Sequence, residues 1–217
     1  MSTPPDSNTA RLAELLRRRH SVRRFEDRPV PQDVIRRALD MARWAPSSAN
    51  RQPWHFVIIT DEGTRSELAA SARAALFDIN AHLREAPAVI AACSDPRVTK
   101  WYLYDVSAAI MCLLLALDSL GLGACWVGLF DEERVKELLG IPEPVHVAAL
   151  IPIGYPAEQP PPSPRLEVDE IAFWQRWGER DPAGHPVPLT RFGRRGVPSV
   201  VWKAIRNLVS RIPRRHR

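Results

Sequence analysis

Ala45-Pro46-Ser47-Ser48-Ala49-Asn50-Arg51-Gln52-Pro53-Trp54, followed by His55-Phe56-Val57-Ile58-Ile59-Thr60, is the stretch around which the rest of the chain is organised. A helical pattern stops at Pro46 and a β-branched strand begins after Pro53, since proline disfavours helix in the residue before it. Between them lie small hydroxyls and two amides, with no acid and no histidine. Such a loop is suited to hydrogen-bond a ligand but lacks the groups for acid–base chemistry.

Upstream, Val34, Ile35, Ala38, Leu39 and Ala42 share one helical face, and Val30-Pro31 opens that helix with a favourable first-turn proline. An earlier helix carries Leu12, Leu15 and Leu16. It runs into Arg17-Arg18-Arg19-His20-Ser21-Val22-Arg23-Arg24-Phe25. Downstream, Asp61 is placed to cap a third helix reaching about Phe77, and residues 87–93 read as a fully buried strand. Residues 99–120 predict one long helix, apolar on nearly all sides from Val106, which needs more than one neighbour and makes a subunit interface a natural partner. Gly121-Leu122-Gly123 stops it. Residues 124–129 predict a third strand, Asp131 caps a short helix ending at Gly140, and residues 145–154 predict a fourth strand. Residues 155–164 are proline-rich and extended, and residues 168–177 are helix-compatible. Strands alternating with helices argue for an α/β or α+β sandwich around one sheet.

The 217 residues are long enough to bury a core, and 21 prolines, about twice average usage, imply many fixed turns. No positive region followed by an apolar stretch opens the chain, so no signal peptide is expected. The apolar run 108–117 is far short of the ~20 residues that span a bilayer. Cys93, Cys112 and Cys125 form no metal-like pair and read as buried reduced thiols, which places the protein in the cytoplasm. The net charge of +5 is uneven: residues 191–217 hold nine Lys or Arg and no acid, leaving the first 190 at −4.

Six scattered histidines share no metal spacing, so no metal site is expected. There is no Gly-x-Ser-x-Gly elbow and no phosphate-binding Gly-rich loop, and Gly121-x-Gly123 precedes a strand rather than following one. An enzyme of this sequence would need a cofactor to carry the chemistry. Arg17 to Arg24 alone reads as a solvated helix end, where cations suit the dipole. Yet Arg19, His20, Ser21 and Arg23 set guanidinium forks beside a short donor, the chemistry a phosphate requires.

Four motifs in order, spanning residues 10–178, resemble the FMN-dependent nitroreductase family. They are Arg-Arg-His-Ser-Val-Arg-Arg-Phe near the start, residues 44–54 as the flavin loop, residues 121–131 as the segment approaching the flavin ring, and Arg165-Leu-Glu-Val-Asp-Glu-Ile near the end. The resemblance implies an α+β sandwich with a central, mostly antiparallel sheet flanked by helices, an intertwined homodimer, and FMN sites at the interface with residues from both subunits. It implies that Arg19, Ser21 and Arg23 hold the FMN phosphate, with His20 contributing backbone or ring edge and Arg165 returning to the phosphate. Pro46, Ser47, Ser48, Asn50 and Gln52 would line the isoalloxazine and ribityl chain. Trp126, Val127 and Gly128 would lie against the ring, with the Gly128 N–H near flavin N5, and no side chain acting as a catalytic group. The implied reaction passes hydride from NAD(P)H through the flavin to a nitroaromatic, quinone or related acceptor in a ping-pong scheme. The same scaffold also fits a flavin-dependent dehalogenase or dehydrogenase. The tail motif lacks the second basic residue often beside the arginine, and mid-chain contacts near residues 77–84 do not align.

Residues 1–180 are thus expected to form the FMN-binding domain and residues 181–217 a basic extension. In the latter Val201, Ile205, Leu208 and Ile212 sit at helical spacing among Lys203, Arg206 and Arg211. That pattern suits an arm packed on the partner subunit, an anionic membrane surface or nucleic acid, and a low-turnover flavoprotein anchored by this tail is a further reading.

Overall fold

The computed structural model describes residues 7–72, 80–160 and 164–179. Its helices are α1 (Ser7–Arg18), α2 (Gln32–Ala42), α3 (Glu62–Ser71), α4 (His82–Glu85), α5 (Tyr102–Ser119), α6 (Glu132–Leu139) and α7 (Val168–Ile171). The strands are β1 (Trp54–Ile59), β2 (Ala88–Ser94), β3 (Gly123–Ala124) and β4 (His146–Gly154). The chain divides into two compact units, residues 1–162 and 163–217. The expected tail helix and the end of the expected third helix near Phe77 lie outside the described residues.

The strands form one antiparallel sheet in the order β1-β2-β4-β3. Every residue of β2 is buried, as a central strand covered on both faces requires. Its alternation separates two cores: Ala88, Ile90 and Ala92 face α2 and α5, whereas Val89, Ala91 and Cys93 face α3, α4 and α6. The architecture is an α+β sandwich, one of the two that the alternation of elements left open and the one the family resemblance implies.

Local chemistry sets the helix ends. Asp61 accepts the Thr64 N–H at 2.8 Å to start α3, and Asp131 accepts the Arg134 N–H at 3.2 Å to start α6. Gly140, at φ 64°, ends α6 in a left-handed conformation that glycine adopts without penalty. α5 buries Val106, Ala109, Ile110, Leu113, Leu114 and Leu117 but leaves Leu103, Tyr104 and Met111 at 46%, 73% and 38% exposure. The protomer therefore covers only part of this apolar helix.

Two expectations need correction. The strand over residues 124–129 is reduced to Gly123–Ala124 and a separate bridge at Val127. Its register is nevertheless continuous. Cys125 N–H donates to Pro152 O at 3.3 Å, and Val127 exchanges both backbone bonds with Leu150 at 2.9 and 3.0 Å. Pro152 has no N–H to return to Cys125, so the ladder breaks there. In the second unit, only Val168–Ile171 of the helix-compatible stretch is helical. Glu167 and Glu170 close a capping box at its start, and Gln175 at φ 63° is incompatible with continuing it.

Candidate functional site

The basic segment after α1 docks beside β3. Ser21 bridges Ala124 in parallel, and the Val22 N–H donates to Ala124 O at 3.0 Å. Phe25 bridges Pro156, and the Glu26 N–H donates to Tyr155 O at 2.9 Å. Two glycines make room for this strip. A Cβ on Gly123 would lie 2.6 Å from Val22, and one on Gly154 would lie 2.7 Å from Pro87 and 2.9 Å from Phe25. Gly123 and Gly154 are themselves cross-strand partners. The pair is the floor on which Val22 and Phe25 rest.

This docking gathers Arg19, Ser21 and Arg23 around Cys125. Burial pushes the Cys125 thiol up, opposed by the Arg23 charge, a hydrogen bond from Ser21 and the Arg19 charge. His20 Nδ1 donates to Arg18 O at 2.9 Å. Its Nε2 is buried without a partner. Two guanidiniums, a hydroxyl and a ring nitrogen with no partner, all within five residues, form a polar set suited to an oxyanion ligand. The neighbouring ring segment is half-open: Val127 is buried, while Trp126 (39% exposed) and Gly128 face outward.

The loop 46–52 is held in a tight and unusual shape. It makes a 3-10 turn over Ser48–Asn50, with Ala49, Asn50 and Gln52 at φ 49°, 54° and 47°. A left-handed non-glycine residue costs about 1 kcal/mol or more, less for Asn, and such outliers gather at functional sites. Ser47 Oγ accepts the Gln52 N–H at 3.0 Å, and Gln52 Nε2 donates to Asn50 O and Oδ1, both at 3.2 Å. Ser47 and Gln52 are thereby committed to the loop itself. Pro46 and Asn50 are exposed. The Ser48 N–H donates to Asp105 Oδ1 at 3.0 Å, which ties the loop to the first turn of α5. Asp105 was not singled out from the sequence; the available signal was an acid opening an otherwise apolar helix.

The two clusters sit at opposite ends of α5. The loop is anchored at Asp105, whereas Arg18 Nε donates to Asp118 Oδ2 at 2.7 Å, next to the basic segment. Thirteen helical residues separate these anchors by roughly 20 Å. Arg165 belongs to the second unit, where its Nη1 donates to Pro164 O at 3.3 Å. A cleft of ≈ 560 Å³ between α2 and β1, lined by Gln32, Arg36, Asp40, Arg43 and Ile58 among others, includes none of the expected flavin residues.

The nitroreductase family model matches residues 16–155. A Methanothermobacter thermautotrophicus protein, provisionally named as an NADH dehydrogenase/NAD(P)H nitroreductase, is 34% identical over 76% of this chain and 87% of its own. The NADH dehydrogenase of Thermus thermophilus is 32% identical over 78% and 96%. Among solved structures, an iodotyrosine deiodinase bound to FMN and 3-iodo-L-tyrosine superposes with a TM-score of 0.67 at 29% identity, covering 72% of this chain and 96% of that one. The chain belongs to the nitroreductase family and is an oxidoreductase.

Proposed function

We propose that this protein is an FMN-dependent oxidoreductase that takes hydride from NAD(P)H and passes it to a nitroaromatic, a quinone or a related acceptor. The observation that carries the reading is the cluster of Arg19, Ser21 and Arg23 beside a buried, unpartnered His20 Nε2. It fits the terminal phosphate of FMN. The arginines supply charge-assisted donors and Ser21 a short hydroxyl, and His20 Nε2 is a further polar atom with no partner of its own. Arg165 belongs to the second unit, and its role as a phosphate ligand rests on the motif resemblance alone.

FMN, when bound, supplies hydride acceptance and return at N5. The protein's part is to bind and orient. Pro46, Ser47, Ser48, Asn50 and Gln52 would line the flavin, from a loop whose shape is held by its own hydrogen bonds and the Ser48–Asp105 tie. Trp126, Val127 and the Gly128 N–H would bound the flavin ring, and the Val127–Leu150 bonds hold that segment to the sheet. Neither segment contains a carboxylate or a histidine, so these residues would bind and orient the flavin while the cofactor would supply the hydride chemistry.

The site is completed across a homodimer. The exposed apolar residues of α5 are the contact face, and an antiparallel pairing of α5 with its two-fold copy sets the Asp105 end of one protomer against the Asp118 end of the other. That arrangement brings the loop of one subunit to the arginines of its partner, which the roughly 20 Å separation within a protomer prevents. Support comes from the half-covered helix.

Anaerobic titration of the purified, FMN-loaded protein with NADH and NADPH tests the reading. Loss of the visible flavin band with at least one nucleotide, and its return on adding a nitroaromatic or quinone, is expected. A flavin that neither nucleotide reduces overturns it; reoxidation only by a halogenated aromatic assigns the dehalogenase reading instead.

A further inference from the structure

Asp105 is a carboxylate buried to 7% exposure in a helix that is otherwise the apolar centre of the protomer. Its Oδ1 accepts the Ser48 N–H at 3.0 Å, and its Oδ2 is buried with no partner. A buried carboxylate with half its acceptor capacity unused costs stability, and an apolar side chain of similar size would normally be more favourable there. The helix N-terminus offsets part of that cost, since an acid in the first turn suits the dipole. That offset explains why the acid is tolerated, not why it faces Ser48.

The loop explains the facing. Residues 46–52 hold three left-handed residues, and their own hydrogen bonds close only within the loop. Two bonds tie it outward. One is from Arg51 Nη1 to Val98 O, long at 3.4 Å and exposed; the other is from Ser48 N–H to Asp105. Asp105 is the one charged and buried acceptor of the two. We propose that Asp105 is the positioning residue of the flavin loop: by holding the Ser48 backbone it keeps Ser47, Ser48 and Asn50 in the arrangement that receives the isoalloxazine and ribityl chain. This rests on the flavin reading above.

Three full-length variants test it: Asp105→Asn, which keeps an acceptor oxygen for Ser48; Asp105→Ala, which has none; and Ser48→Pro, which removes the donor and leaves Asp105 intact. Ser47 is extended, at φ −143° and ψ 157°, the conformation preferred before proline. FMN is titrated into each apoprotein with flavin fluorescence as readout, and the visible spectrum of the bound flavin and the melting of the apoprotein are recorded. Losing a hydrogen bond to a charged acceptor predicts about 10- to 100-fold weaker FMN binding for Asp105→Ala and Ser48→Pro, with a shifted flavin spectrum. Asp105→Asn is expected to restore affinity to within about fivefold of wild type. If Asp105→Ala does not fold, Ser48→Pro decides when read against Ser48→Ala, which loses the same hydroxyl but keeps the N–H to Asp105. A purely structural acid would lower the melting temperature and leave FMN affinity and spectrum unchanged, and that result overturns the proposal. So does an Asn variant as weak as the Ala variant. A wild-type apoprotein that takes up no FMN instead overturns the flavin reading, and this inference with it.

Discussion

Gly123→Ala tests whether the fold and the site are coupled through one glycine. The added Cβ would sit 2.6, 2.7 and 2.8 Å from Val22 Cγ2, Cβ and Cγ1. Rotating Val22 relieves nothing, because its own Cβ is one of the atoms struck, and β-branched side chains are stiff in any case. Val22 is 2% exposed, so the strip must lift away from β3. Overpacking of this kind costs about 1–3 kcal/mol, which lowers Tm by about 2–12 °C for a chain of this size. Lifting Val22 also strains its N–H bond to Ala124 O and moves Ser21 and Arg23, its chain neighbours. FMN affinity should fall about tenfold or more, the equivalent of one charged hydrogen bond. Gly121→Ala is the control: its Cβ meets open space, but φ is 79°, so it destabilises without displacing Val22 and should leave FMN affinity unchanged. Thermal melting and apoprotein titration measure both. A Gly123→Ala protein with wild-type Tm and wild-type FMN affinity refutes the coupling.

Replacing Arg19 and Arg23 together with alanine should weaken FMN binding by about 100-fold or more, at about 1.5 kcal/mol or more per charged contact; unchanged flavin content after purification would remove the phosphate assignment. Leu103→Asp with Met111→Asp places charges on the exposed face of α5 and should convert a dimer to monomers in light scattering, with loss of bound FMN; a dimer that persists would exclude this face. Asp95 is held down to about 2 by hydrogen bonds from the Arg97 side chain and backbone. A depressed folded value means stabilisation that is complete above the unfolded carboxylate range and lost as pH falls from about 4 through 2. Asp95→Asn should therefore flatten the stability curve in that window, as followed by denaturant titration at each pH. Deleting residues 191–217 should leave FMN content and turnover intact if the tail only anchors, whereas loss of the dimer would mark it as an arm.

The elements with local causes were legible in the sequence. Asp61 and Asp131 announce their helices, Gly140 ends one, and the apolar run of β2 reads as a doubly covered strand. What the sequence obscured has non-local causes. The strand after Gly123 breaks because its partner, 27 residues on, is a proline lacking the one N–H the ladder needs. The glycine pair beneath the basic segment joins residues 31 apart, Gly123 and Gly154, to Val22 and Phe25 a hundred residues earlier. No periodicity records such a contact.

The flavin loop shows the same division more sharply. Its small hydroxyls and amides, with no acid or histidine, mark residues 45–54 as a binding loop, and the resemblance says for what. Neither reveals that Ser47 and Gln52 are spent holding the loop's own shape, with the Oδ1 of the exposed Asn50 drawn into the same network. Nor does either reveal that the loop hangs from an acid on a helix 57 residues further along the chain. A strained loop cannot hold its form through local bonds alone, because each left-handed residue draws it toward a relaxed conformer. It needs an anchor on a rigid element, and the rigid element at hand is α5. The same helix carries the basic segment at its other end through Asp118. One helix thus spaces the loop and the basic segment, and in the proposed homodimer its uncovered apolar face is the contact that unites them.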